Sequence, residues 1–148
     1  MHYFIPFSTF FILFFNTVMA QDIDILGDNR WKNRVLLIYA DSDLSTEYQQ
    51  QLQEIEGHRK GINERDIIVY SIFHQQIVAS EGKIEDKRAA QALRQKYSIS
   101  NSQLTIVLIG KDGGEKLTQK GLLGAEQLFG VIDQMPMRKE EMKESQSG

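Results

Sequence analysis

The sequence predicts an α/β domain, a mixed four-stranded sheet in the order β-α-β-α-β-β-α with helices on both faces. Three observations carry this. Apolar runs at 34–40 and 104–109 are bounded by polar residues, as strands buried on both faces are. Amphipathic segments at 44–62 and 86–97 alternate with strands, each showing an apolar stripe at helical spacing. Finally, only residues 110–114 separate the run at 104–109 from a short polar strand. That linker is too short for a helix, and its glycines suit a hairpin.

Residues 22–32 mix Ile23, Ile25 and Leu26 with polar residues and read as a short strand or a covering segment. Trp31, the single indole, reads as a lid on the core, with an exposed contact residue as the alternative. The strand at 34–40 leads into Asp41, Ser42, Asp43, Leu44, Ser45 and Thr46, a segment rich in helix-capping residues. Ser45 or Thr46 is expected to accept a hydrogen bond from a first-turn amide, and Glu47 suits the positive helix end. Leu44, Tyr48, Leu52, Ile55 and Ile62 make the stripe of this helix, whose last turns Gly57 and Gly61 weaken.

Residues 66–73 form a second strand, rich in β-branched and aromatic side chains. Residues 74–83 have no period and read as a loop. A second helix covers 86–97, a polar break 98–102 and a third strand 104–109. Asp112-Gly113 predicts a type I′ turn, with both central residues at positive φ, before a return strand at 115–118. The last helix, 125–133, must stop or bend before Pro136, and the charged 137–148 is expected to fray.

The chain has 148 residues, about one domain, with 17 Lys and Arg against 20 Asp and Glu, a formal charge of −3. That balance argues against a nucleic-acid partner. The cysteine count is zero, which excludes a disulfide, a CxxC redox centre, a zinc–thiolate site and a cysteine nucleophile in this chain. Residues 1–20 hold half of the chain's aromatics and no Lys, Arg, Asp or Glu. Val18 and Ala20 supply the small residues of a signal-peptidase site before Gln21. The expected organisation is a signal peptide at 1–20, the domain at 21–142 and a disordered tail at 143–148. The mature chain is expected to be exported, periplasmic or secreted, with no membrane span left after cleavage.

This element order is that of a minimal thioredoxin fold. Particular residues add a resemblance: Trp31-Lys32-Asn33-Arg34 before the first strand and Glu64-Arg65-Asp66 before the second. The hairpin at 108–117, then Ile132-Asp133-Gln134-Met135-Pro136-Met137-Arg138 with Glu141, complete it. On these residues, spanning roughly 31–142, the chain resembles a bacterial family of unknown function with a thioredoxin-like, peroxiredoxin-like domain. It is also similar to modules of Equarin and the sushi-repeat-containing secreted proteins. The resemblance implies a fold and an extracytoplasmic setting, without an activity. In active thioredoxin-like proteins the attacking thiolate sits at the N-terminus of the helix after the first core strand. Here that place is 41–45, with hydroxyls and carboxylates, and the loop at 99–103 lacks the proline that such folds carry before the third strand.

Asp41, Asp43 and Ser45 are candidate ligand or partner contacts on that loop, and Arg65, Lys111 and Arg138 are candidates elsewhere. A calcium loop starting at Asp41 would need Gly at Thr46 and Glu at Leu52. His58 and His74 stand apart without partners at metal spacing, so no metal and no cofactor are expected. Gly110-Lys111-Asp112-Gly113-Gly114 precedes a strand rather than a helix and reads as a tight turn, not a phosphate loop. Lys111 and Lys116 could still attract a small anion. Arg34, Arg65 and Arg138 are expected to pair internally with Asp66, Asp133 or Glu141. Met135-Pro136-Met137 is expected to close the last helix against the core. The expected function is a non-catalytic binding or structural module for a protein or envelope component. The alternative is a non-thiol enzyme or small-anion binder that joins the 41–46 loop to a nearby arginine.

Overall fold

The structure, a computed structural model, describes residues 24–79, 82–84, 86–100 and 103–147. The expected export signal at 1–20 and its cleavage point lie outside these residues.

The sheet is built around β1 (Arg34–Tyr39), every residue of which is buried. It pairs in parallel with β2 (Ile67–Ile72) and antiparallel with β5 (Thr105–Ile109). The parallel pairing is made possible by a crossover of two helices, α2 (Thr46–Gly57) and α3 (Arg59–Glu64). These break at His58, directly after Gly57. β6 (Glu115–Lys120) returns along β5. On the other side β3 (Ile77–Ala79) and β4 (Gly82–Ile84) add a small antiparallel hairpin, so the order is β4-β3-β2-β1-β5-β6. The sheet therefore has six strands rather than four, the extra two occupying the expected loop at 74–83 and extending one residue past it. Strands of three residues are too short for alternation to show, yet Ile77 is fully buried opposite Ile72.

Alternation along β1 sorts the core into two layers. Val35, Leu37 and Tyr39 pack with Ile25 of α1 (Ile25–Asn29) and with Ala90 and Leu93 of α4 (Lys87–Lys96). Leu36 and Ile38 pack with Tyr48, Ile55 and Ile62 and with Leu128 and Ile132 of α5 (Ala125–Asp133). The segment at 22–32 thus holds a short covering helix rather than a strand, with a turn after it. Asp86 caps α4 by accepting the Ala89 N–H at 3.0 Å.

Four local expectations are corrected. Ser45 stands at the N-cap of α2 without a side-chain cap bond, and Leu44 is 84% exposed. Leu44 lies in the preceding turn, its N–H bonded to Ser42 Oγ at 3.1 Å, and so is off the helical stripe. In the hairpin only Gly113 has positive φ, at 83°; its N–H bonds to the Gly110 carbonyl and the Asp112 carboxylate holds the Gly114 N–H. This is a turn with a following bulge, which the register shift at Leu108/Ile109 reflects, rather than a type I′ turn. Trp31 is 62% exposed at φ 66°, its N–H bonded to the Lys111 carbonyl, and it is no lid on the core.

The segment expected to fray is helical through Gln146. α6 (Pro136–Gln146) begins with a proline, whose fixed φ suits a first turn, yet it has no buried residue. Met135, just before it, packs against the core, whereas Met137 is 40% exposed. Among the described residues no helix is long and apolar enough to cross a membrane.

Candidate functional site

The candidate residues fall at opposite ends of β1. The strand starts at Arg34 and leads to Asp41, roughly 23 Å away at ~3.3 Å per residue.

The Arg34 end gathers charge from five parts of the chain. Arg34, whose side chain is 1% exposed, holds both oxygens of Glu141 on α6 at 3.1 and 3.2 Å and donates to the Arg65 carbonyl at 2.9 Å. Lys111 from the hairpin bridges Glu141 and Asp66, each at 2.8 Å. Arg65 grips Asp133 at 2.9 and 2.6 Å, two parallel bonds that fit a guanidinium to a carboxylate. Arg138 reaches Asp133 at 3.3 Å, Glu141 at 3.4 Å and the Glu64 carbonyl at 2.9 Å. The expected internal pairing of Arg34, Arg65 and Arg138 is what the structure shows.

These contacts set the ionisation of the group. Burial works to raise the Glu141 pKa, but hydrogen bonds from Lys111 and Arg34 outweigh it and hold the carboxyl below its usual range. The Arg65 hydrogen bonds, helped by Arg138 against burial, do the same for Asp133. Lys111 is pushed down by burial and up, more strongly in sum, by Asp66 and Glu141. Glu141, Asp133 and Lys111 are thus all held in their charged forms. Beside the network lies a cleft of about 150 Å³ lined by Arg34, Gly110, Lys111, Asp112, Lys116 and Met135 through Met137.

The Asp41 end is sparser. Asp41 Oδ1 lies 3.5 Å from His74 Nε2, both side chains about half exposed. Asp41, Ser45, Glu47 and Gln103 line a second cleft of about 150 Å³. Asp43 is exposed beyond it, its carbonyl accepting from the Gln49 amide. Neither Arg65 nor Arg138 approaches this loop, so the expected convergence of the acidic loop with those arginines does not occur. The buried cation on this side is Arg94, which donates to the Ala40 and Ile72 carbonyls at 2.7 and 3.2 Å. Burial lowers its pKa, and the charge of Asp41 opposes that. A signal for it existed, because Arg94 follows Ala90 by four residues and so shares the buried face of α4.

A larger groove, about 430 Å³, lies between α2 and the β2–β3 side of the sheet, lined by Tyr48, Leu52, Ile55, Val69, Ser71 and Val78. On its floor the Tyr48 hydroxyl and Ser71 Oγ bond at 2.8 Å. None of the six candidates lines it.

Comparison with known proteins agrees with this architecture. The family model described as "Domain of unknown function (DUF4174)" matches residues 25–141. Coiled-coil domain-containing protein 80 of Danio rerio is 25% identical over 140 residues, covering 84% of this chain and 16% of that protein. This chain therefore corresponds to a small part of that relative's length. Among solved structures, a reduced 2-Cys peroxiredoxin of Plasmodium vivax superposes with a TM-score of 0.60 at 11% identity, over 78% of this chain and 84% of that one. Thioredoxin peroxidase I of Plasmodium yoelii gives 0.58 at 13% identity, over 78% and 79%. Likeness at such identities concerns the fold, which is thioredoxin-like of the peroxiredoxin kind.

Proposed function

The chain belongs to the DUF4174 family, and we propose that it is an exported thioredoxin-like module that works by binding a protein or envelope component, without thiol redox chemistry. One observation carries the reading. Where such a fold would hold its attacking thiolate, at the start of α2, this chain has Asp41, Ser42, Asp43 and Ser45, and it has no cysteine at any position. A serine hydroxyl there does not cycle between oxidation states, and as a nucleophile it needs a base to activate it. The superposed relatives are named for cysteine and thioredoxin-peroxidase chemistry; this chain lacks the atom that chemistry uses.

Export rests on residues 1–20, with their uncharged apolar stretch and small residues at 18 and 20. The resemblance to modules of Equarin and the sushi-repeat-containing proteins supports the same setting, as a bacterial member of the family. A non-thiol enzyme at the Asp41 end is the second reading. The half-exposed His74–Asp41 pair beside a small cleft favours it, but without Arg65, Lys111 or Arg138, which serve the other pole.

Affinity capture from the exported fraction tests the binding reading, with Asp43→Ala and Arg138→Ala chains as controls. A specific partner retained by the unaltered chain and lost with one of the substitutions is the expected result. Retention no greater than that of unrelated protein would reject it.

A further inference from the structure

The Glu141 carboxylate makes contact with three cations, Arg34, Lys111 and Arg138, that come from β1, the hairpin and α6 itself. It is the main tie between α6 and the sheet, because α6 buries no residue of its own. We propose that Arg34, Lys111 and Arg138 form a carboxylate-binding cage, filled in this structure by Glu141, and that a glutamate side chain of an acidic partner peptide competes for it.

Three features of the cage point outward from its internal occupant. The two Arg34–Glu141 bonds, at 3.1 and 3.2 Å, are longer than the ~2.7–2.9 Å usual for a guanidinium on a carboxylate. Arg34 Nε is buried with no hydrogen-bond partner among the described residues, so Glu141 leaves part of the guanidinium unused. The adjoining cleft, lined by Arg34, Lys111, Lys116 and Met137, gives a second side chain a route to the same cations. Met137 is 40% exposed, and an unbranched thioether adapts to different contacts.

Charge decides what enters. Around the cage stand Arg34, Arg65, Lys111, Lys116 and Arg138, opposed by Asp66, Asp112, Asp133 and Glu141. With Glu141 withdrawn, these five cations face the three remaining carboxylates. Water is a poor replacement, since a buried guanidinium without its counter-charge is strongly unfavourable. A second carboxylate is a good one. Release of α6 to solvent is therefore costly, whereas exchange of one glutamate for another keeps a counter-charge on the cations and leaves only the cost of associating a second molecule. The cage is independent of the thiol argument and stands or falls separately.

Two measurements on the full chain test it. In Glu141→Ala, truncation leaves room for a free carboxylate, and the melting temperature is expected to rise by several degrees in sodium acetate relative to equimolar sodium chloride, with no such difference in the unaltered chain. In the unaltered chain, a tetraglutamate peptide is expected to speed amide hydrogen exchange across α6, and a tetraglutamine peptide to have no effect. Equal effects of acetate and chloride on Glu141→Ala, or α6 exchange that ignores tetraglutamate or responds equally to tetraglutamine, would overturn the proposal. If Glu141→Ala fails to fold, the peptide measurement decides alone.

Discussion

The side-chain amide of Gln51 on α2 grips the backbone of Leu123 from both sides. Its Nε2 donates to the Leu123 carbonyl at 2.9 Å, and its Oε1 accepts the Leu123 N–H at 2.8 Å. Gln51 is 1% exposed and Leu123 2%, so water cannot replace either bond. The neighbouring Glu54 accepts the Ala125 N–H at 2.8 Å, and the two side chains together fix the entry to α5.

Gln51→Leu removes both partners while keeping most of the volume. It leaves a buried donor and acceptor unsatisfied, and is expected to cost about 2–4 kcal/mol. Urea unfolding measures this; a loss within 0.5 kcal/mol of zero, roughly the size of an ordinary surface change, would show that the clamp is dispensable.

Two glycines one turn apart should respond in opposite directions. A Cβ at Gly57 meets nothing within 4 Å, so Gly57→Ala is expected to stabilise by about 0.5–1 kcal/mol through reduced chain entropy. A Cβ at Gly61 would lie 2.6 Å from the Phe129 ring, which is held beneath the Arg65 guanidinium at 4.2 Å. Gly61→Ala is expected to destabilise by about 1–2 kcal/mol, overpacking outweighing the helix gain. Thermal melts of the two variants side by side check the contrast.

The network at the Arg34 end predicts a local response to acid. Glu141 and Asp133 both have depressed native pKa values. Such carboxylates stabilise the fold above their unfolded value, about 4, and that contribution is lost as pH falls through the native value. α6, with no apolar anchor, is expected to lose hydrogen-exchange protection at a higher pH than β1. Simultaneous loss in both would contradict this.

Replacement of the buried cation should show coupling. Arg34→Met leaves Glu141 in place and is expected to cost about 3 kcal/mol. Adding Glu141→Gln should then cost much less than it does alone, since the pair is lost only once. A double-mutant cycle by urea unfolding gives the number, and strictly additive costs would mean that the two side chains do not share one interaction.

Sequence alone carried the elements whose stability is local or purely apolar. β1 and β5 announce themselves as unbroken apolar runs, α4 by its apolar stripe, and the end of α5 by Pro136. What escaped depends on distant partners. α6 has no apolar stripe to read, and it is seated by a Glu141–Arg34 pair 107 residues apart in the chain. Gln51 is buried only because Leu123, 72 residues away, offers it two backbone groups. β3 and β4 are too short to show a period. At the site, residue types and spacing foretold the ion pairs of Arg34, Arg65 and Arg138. They gave no distance between those arginines and Asp41, because nothing local says which end of a strand a later helix will cross.

The central claim is that a peroxiredoxin-like fold is used here without redox turnover. The most direct measurement supplies the purified chain with hydrogen peroxide and dithiothreitol, and separately with insulin and dithiothreitol. Peroxide consumption and insulin precipitation at the rate of the buffer alone are predicted. Turnover that scales with the concentration of this chain would contradict the account.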